Sequence, residues 1–540
     1  MLDKLTPNQR LVVAVLLSVI FFVGYTAIFP PAKPAVDPAK ADPNKVELKN
    51  TNSKTDITDV VENISEDAKK SQQKVAKSVS NDIVTITNKN FILKIDTLGR
   101  ISSKELLENK FRNDENLHAQ VIPAKGTKPL YIRFADDTIN DEAIKTPYTA
   151  NISKVTLQDK PVKVTLTQKL TSVTVTKVLK FYADGHYDVD ISLSKDLKHY
   201  VYLGDRPRVS KKLMAVAGAM VYTNDDVAHI VEDKKAEKRE VYQDVALASS
   251  FDQYTAIILY GFKKDTSVVI DRGAEDNPVV FFEALQHEAL HGYIGPKEHK
   301  VLHKIDPVLT NAIEYGWFTF VAKPIFSLLS WLHSIFGNWG WAIIALTAII
   351  RAALYPLTYR GMVSMQKMKL LAPKLKELKA KYKKDPQKLN MMTMEMYKKE
   401  GANPLGGCLP MLLQIPIFFA LYRTLLNAVE LQGAPWILWI HDLSRMDPYY
   451  VLPLLMGASM FLQQRMTPTN FTDPMQEKIM KYLPVIFTFF FVTFPSGLVL
   501  YWFINNLFSI AQQYIVNQQF KNAEDAKAFV KEKREKTDND

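Results

Sequence analysis

The sequence has almost no cysteine. Cys408 is the only one in 540 residues, which excludes an intrachain disulfide and a cysteine-based zinc cluster and leaves the redox compartment unreadable. No G-x-x-x-x-G-K-[ST] stretch is present, so there is no phosphate-cradling loop of the usual nucleotide-hydrolysing kind. Inverted repeats with broken helices, the mark of many transporters, are also missing. What remains is a chain longer than one ordinary domain, 47% hydrophobic and 23% charged, a mixture that points to segregated membrane and soluble parts. The formal net charge of +11 favours anionic surfaces, either phospholipid headgroups or RNA, without choosing between them.

Leu11 to Phe29 is a continuous apolar run preceded by Lys4 and Arg10 and followed by Pro30-Pro31 rather than small residues. It reads as an uncleaved anchor (residues 1–30) whose basic end stays in the cytoplasm. Residues 31–80 are rich in Pro, Ala, Lys, Asp, Asn and Ser and read as a flexible linker. From Asp82 the pattern alternates: Val84-Thr85-Ile86, Phe91 to Ile95, Val162, Val164, Leu166, then Tyr187, Val189, Ile191 and Leu193, with Asp184-Gly185 as a hairpin turn. Residues 81–314 are therefore expected to form a β-sandwich of two packed sheets on the far side of the membrane.

Within that domain, His287-Glu288-Ala289-Leu290-His291 matches H-E-x-x-H. On a helix this places two imidazoles one turn apart to share a zinc ion, with the glutamate as base. On a strand the same histidines lie about 13 Å apart, too far to share a metal. Phe281 to Leu290 is compatible with a helix, whereas Tyr293-Ile294-Gly295-Pro296 reads as a strand and turn. The longer zinc-peptidase pattern would need glycine and histidine where Ile294 and Lys297 stand. No metal site is assigned, and a membrane zinc peptidase is kept only as an alternative, beside a transporter.

Residues 315–520 are dominated by apolar helices. Tyr315 to Phe336, broken by Lys323-Pro324, reads as an amphipathic helix at the interface. Trp339 to Pro356 is long enough to cross most of a hydrocarbon core and contains Arg351. A charge there costs about 2.5 to 3.5 kcal/mol on insertion scales unless it meets water or a polar partner. Thr347 lies one turn earlier on the same face, so that face is expected to look into a wet cavity; the alternative is that Arg351 snorkels to the headgroups. Residues 358–400 form a basic helical hairpin, with Met368, Leu371, Leu375, Leu378 and Tyr382 at helical spacing before Asp385-Pro386, and Leu389, Met392 and Met396 after it. Its apolar stripe, including Met365, serves either as an adaptable surface for apolar clients, with Lys379 beside it, or simply to join the two helices while the lysines sit on anionic lipid. Further spans are expected over Leu409–Leu426, Tyr449–Gln464, Tyr482–Phe494 and Leu498–Ile515, with a basic cytoplasmic tail at 521–540. Gln414, Ser459, Gln463 and the i, i+4, i+7 set Asn505, Ser509 and Gln512 put polar groups inside these spans. Singly they are ordinary interhelical glue; facing Arg351 together they would line a hydrophilic groove.

Asn338-Trp339-Gly340, Arg351 with Tyr355-Pro356-Leu357-Thr358, Asn403 to Cys408 (NPLGGC), Leu438 to Leu443 (LWIHDL), Asp447-Pro448-Tyr449-Tyr450, Asp473 to Gln476 (DPMQ) and Phe494 to Leu498 (FPSGL) follow one another in order. Over about Tyr315 to Gln519 they resemble the bacterial branch of the YidC/Oxa/Alb family of membrane protein insertases. The resemblance implies a polytopic α-helical membrane protein of six transmembrane helices, with a five-helix groove-forming core and a large inserted periplasmic β-sandwich domain. It implies a groove open to cytoplasm and lipid, lined by Arg351, Thr347, Gln414, Ser459, Gln463, Tyr501, Trp502, Asn505, Ser509 and Gln512. Where the family often carries tyrosine, Trp502 keeps an aromatic surface and lacks the hydroxyl. The implied activity is non-enzymatic, without cofactor: insertion and folding of nascent membrane proteins in the inner membrane, both termini cytoplasmic and residues 31–314 periplasmic. The implied partners are the Sec translocon, anionic phospholipids and, weakly or transiently given the short mixed-charge tail, the ribosome.

Overall fold

The computed structural model describes residues 45–46, 82–111, 117–209, 216–313, 319–382, 385–399, 409–466 and 474–537. The apolar run 11–29, most of the linker, Lys383, Lys384, the 403–408 motif and Asp473 lie outside the described residues, as does the side chain of Lys379. The chain divides into two compact units, one ending at Glu314 and the other beginning at Tyr315.

The first unit is rich in strands, as the alternation predicts, but among its described residues they form three sheets rather than two. A nine-stranded sheet runs from Ala228–Glu232 at one edge, through Thr255–Tyr260, His287–Pro296 and His186–Leu193, to Thr149–Ala150. Thr255–Tyr260 is buried at every position, so it is covered on both faces, whereas Thr174–Phe181 alternates, with Val175, Leu179 and Phe181 inward on the same row as Lys177. A six-stranded sheet is edged by Lys45–Val46, a short strand contributed by the expected linker and paired with Val241 and Tyr242.

The third, five-stranded sheet contains Asp82–Thr87, Phe91–Asp96 and Ile101–Leu106. Two buried lysines tie it to the rest. Lys104 donates to the carbonyls of Gly185 (3.3 Å) and Ile294. Lys177, from the nine-stranded sheet, donates to the carbonyls of Gly99 (2.8 Å) and Leu130 (2.7 Å). Burial pushes both ammonium groups down to about 7, against the opposing pull of Asp184 on Lys104 and Asp96 on Lys177. Short alternating runs announce strands but not which strand joins which sheet, so the third sheet was not legible.

The second unit has eight helices among its described residues: α1 (Thr319–Phe336), α2 (Trp339–Leu370), α3 (Ala372–Lys381), α4 (Pro386–Lys399), α5 (Leu409–Asn427), α6 (Val451–Met466), α7 (Pro474–Phe491) and α8 (Ser496–Thr537). By length and composition α1 and α2 can each cross a membrane. Asn338 caps α2, its side-chain oxygen accepting from the backbone N–H groups of Gly340 (2.9 Å) and Trp341 (3.3 Å). The expected span ends at Pro356 and the expected hairpin opens at Thr358, but α2 continues unbroken through both to Leu370. The break falls instead at Leu371, because Pro373 takes one of the first two positions of α3, where a missing N–H costs nothing. At the other end the expected tail is continuous with the last span in α8.

Candidate functional site

Arg351 projects from the middle of α2 and is 7% exposed. Its Nε donates to Asn505 Oδ1 at 2.7 Å, and its Nη2 donates to the Asn505 carbonyl at 3.1 Å and to Ser509 Oγ at 2.6 Å. Gln414 of α5 donates to the same Asn505 Oδ1 at 3.2 Å. Three helices thus meet at one cation, and every described partner of Arg351 is a neutral amide, carbonyl or hydroxyl. Such partners satisfy the donors and leave the positive charge in place, whereas a carboxylate would cancel it. Nη1 has no described partner, so two of the five N–H donors remain for something else. Tyr501, one turn before Asn505, is 2% exposed and lies within electrostatic reach of Arg351 and close to the side-chain amide of Gln414.

The other expected groove residues divide. Thr347 is 1% exposed, but its hydroxyl turns back to the carbonyl of Ile343 at 2.7 Å, the usual satisfaction of a buried helical threonine. Ser459 donates to Met456 O at 2.6 Å and accepts from Asn506 Nδ2 at 3.0 Å, a separate tie between α6 and α8 in which Asn506 was not anticipated. Gln463 is half-buried on α6. Gln512 is half-buried with a side-chain oxygen that reaches no hydrogen-bond partner. Trp502 faces an aromatic cluster, with ring centroids 4.7 Å from Phe418, edge-on, 5.1 Å from Phe491 and 6.2 Å from Phe487.

The polar seam continues at Gln513 and Asn517 rather than at Gln512. Gln513 donates to Asn517 Oδ1 at 2.8 Å, Gln366 of α2 donates to the same oxygen, and Asn517 donates to Met466 O at 3.3 Å. Asn505, Ser509, Gln513 and Asn517 stand at strict four-residue spacing. That row is inclined to the helix axis, and packed helices follow it as a ridge. An i+7 step leaves the row, which is why Gln512 is out of place; the four-residue polar repeat was the available signal.

On the hairpin, α3 and α4 pack together. Leu371 is buried, and Met365, Met368, Leu375, Met392 and Met396 are half-buried. The methionines most open to contact are instead Met391 and Met394, 60% and 59% exposed.

The zinc alternative fails on geometry. His287–Pro296 is a strand paired on both sides, so its two histidines are separated by the strand rise and cannot share an ion. His291 bonds Asp188 at 2.7 Å, and Glu288 is 1% exposed, accepting from the backbone N–H of Leu285. Among the described residues no three His, Cys, Asp or Glu side chains converge as metal ligands. The helical option left open for Phe281 to Leu290 does not hold: the segment is split between two paired strands, Pro278–Ala284 and His287–Pro296.

Apolar helices built around a buried cation, following a strand-rich domain, define a membrane protein with a large extramembrane part. A family described as "60Kd inner membrane protein" matches residues 331–524, and one described as "YidC periplasmic domain" matches residues 83–328. "Membrane protein insertase YidC" of Campylobacter jejuni is 45% identical over 99% of both chains. The proteins of that name from Wolinella succinogenes and Helicobacter pylori are 46% and 42% identical, each over 96% of this chain and over 96% and 98% of their own. The chain belongs to the YidC family of membrane protein insertases. A solved structure titled "Active YidC insertase crystal structure with the first transmembrane domain resolved" is 19% identical, with a TM-score of 0.37, over 84% of this chain and 99% of its own.

Proposed function

We propose that this chain inserts newly made membrane proteins into the inner membrane and helps them fold, alone or with the Sec translocon. The reading takes six spans: the N-terminal segment, α2, α5, α6, α7 and the first part of α8. Residues 31–314 lie in the periplasm, and both termini and the α3–α4 hairpin lie in the cytoplasm. The hairpin lysines sit on anionic phospholipid, and ribosome contact is weak. The face of α2, α5 and α8 around Arg351 is the polar wall of a groove open to lipid. A client's polar or acidic external segment is drawn to Arg351 while its apolar helix passes into the bilayer. That transfer supplies the drive, about 25 cal/mol for each Å² of apolar surface removed from water, so no bond chemistry is required.

The observation that carries this reading is the company Arg351 keeps. A buried guanidinium held by an asparagine and a serine, with Nη1 unengaged among the described residues, is a fixed cation for which the fold supplies no described anion. Insertion of a single-span client into proteoliposomes containing only this protein tests it. Wild type should insert, Arg351→Ala should fail and Arg351→Lys should retain activity. Equal insertion by all three would assign the work to the groove's shape or hydration instead.

A further inference from the structure

The segment joining α5 to α6 displays apolar side chains that neither the fold nor the proposed insertion route uses. Its backbone is firmly held. Trp436 N donates to Ile440 O at 2.9 Å and Leu443 N to Ala434 O at 2.9 Å, while Asn338 Nδ2 reaches Pro435 O at 3.0 Å. Ser496 donates to Arg445 O through its backbone (2.7 Å) and its hydroxyl (2.8 Å). Asp447 accepts from Trp439 Nε1 at 3.0 Å, Tyr449 N at 3.0 Å and Leu452 N at 2.7 Å. Ile440 and Leu443 are buried beneath, at 3% and 0% exposed.

On this frame Leu438 is 74% exposed, Tyr449 68%, Met446 53% and Tyr450 44%. Trp439 and Tyr449, with ring centroids 6.3 Å apart and edge-on, join the two turns into one patch. Leu438 and Tyr450 have φ of 53° and 58°, a left-handed conformation that costs a bulky residue on the order of 1 kcal/mol or more. Glycine would fit these positions without strain, so apolar bulk is held outward there at a cost to the fold.

The charges nearby are matched internally: Asp447 is 0% exposed and Arg445 pairs with Asp442 at 3.3 Å. The patch also runs on into a helix face. Leu454 N bonds Tyr450 O at 3.2 Å, placing Tyr450 one turn above Leu454 (62% exposed), which with Leu455, Phe461 and Leu462 makes α6 apolar on its outside.

We infer that this loop tip is an interfacial anchor that seats Leu438, Met446, Tyr449 and Tyr450 among the headgroups of the outer leaflet and so fixes the depth of the α5–α6 pair. Matched charge, amphipathic aromatics and continuity with an apolar helix face fit a lipid surface better than a charged protein partner. The inference rests on the reading that α6 spans the membrane with this loop on its periplasmic side.

The test uses the full chain with Cys408→Ser and one new cysteine, Leu438→Cys or Leu454→Cys, labelled with an environment-sensitive fluorophore. The protein is placed in phosphatidylethanolamine/phosphatidylglycerol vesicles carrying quenchers at shallow or deep acyl positions. A probe at position 438 should be blue-shifted and quenched more by shallow than by deep quencher, at a depth of about 5–10 Å. A probe at 454 should respond to the deeper one. Water-like, unquenched emission at 438 with quenching at 454 overturns the anchor and leaves the patch to a protein partner. No quenching at either position overturns the spanning reading of α6, and the anchor with it.

Discussion

Replacing Asn505 by aspartate separates the charge of Arg351 from its support. The new carboxylate would take the place of the Oδ1 that now lies 2.7 Å from Arg351 Nε. At an effective dielectric of about 20, unit charges about 4 Å apart attract by roughly 4 kcal/mol, so the buried pair holds together and the net charge offered to a client falls close to zero. A client carboxylate approaching Nη1 to a similar distance loses about that same attraction as a ceiling. If one third of it is expressed in the slow step, insertion slows by about tenfold. Proteoliposomes with single-span clients that differ only in an acidic, neutral or basic external segment provide the assay. Asn505→Asp should slow the acidic client by about tenfold and leave the neutral one within about twofold. Asn505→Leu, which removes the acceptor without adding charge, should lower thermal stability by about 1.5–3 kcal/mol, as for a lost hydrogen bond to a charged group, while still favouring acidic clients. Equal slowing of all clients by Asn505→Asp would make the effect structural, and an unchanged acidic client would refute the electrostatic reasoning.

Two further predictions concern stability. Lys104 and Lys177 have folded pKa values near 7 against 10.5 in their ordinary state, so between about pH 7 and 10.5 the unfolded chain binds more protons than the folded one. Stability should therefore rise with pH across that window, by up to about 1.4 kcal/mol per pH unit for each lysine, with the penalty complete below it. In denaturation of the detergent-solubilised protein, Lys177→Met should reduce this slope and be less stable than wild type at high pH, where the Gly99 and Leu130 carbonyls lose their donor. In α2, a Cβ added at Gly340 would lie 2.1 Å from Trp436 Cδ1. Gly340→Ala should therefore lower the melting temperature through overpacking of about 1–3 kcal/mol, and an unchanged melting temperature would mean that the indole moves aside freely.

The strand-rich domain, the helical unit and the meeting of Arg351 with Asn505 and Ser509 at the candidate site were all legible, for different reasons. Alternation gave strands because half-buried sheets repeat every two residues, yet the pairing that sets five strands apart as a third sheet depends on contacts far apart in sequence. The HEALH stretch misleads in the same way: five residues carry zinc-site chemistry only if helical, and its burial alternates because it is held as a strand, paired along its length with His186–Leu193 and, at His291, with Tyr260 as well. Arg351 could be singled out because its charge conflicts with its surroundings. Its partners Asn505 and Ser509 followed from spacing, whereas Gln513 and Asn517 were missed because a seven-residue step was followed where the helices pack along a four-residue row. Thr347 was placed by face alone, which does not reveal that a buried hydroxyl satisfies itself on its own helix.

The chemistry of that row bears on why Arg351 is held as it is. An aspartate at the position of Asn505 or Ser509 would bind the guanidinium more strongly, and breaking such a pair would cost about 3–5 kcal/mol. The chain instead spreads the donors of Arg351 over one amide oxygen, one backbone carbonyl and one hydroxyl, and continues the same helix face with neutral Gln513 and Asn517. Neutral acceptors fix the position of a cation without consuming its charge, and they exchange for water or a client's polar groups at far lower cost than a carboxylate. A row of this kind is firm enough to order the helices and weak enough to be displaced locally, which is what the proposed transient contact with a hydrophilic client segment would require.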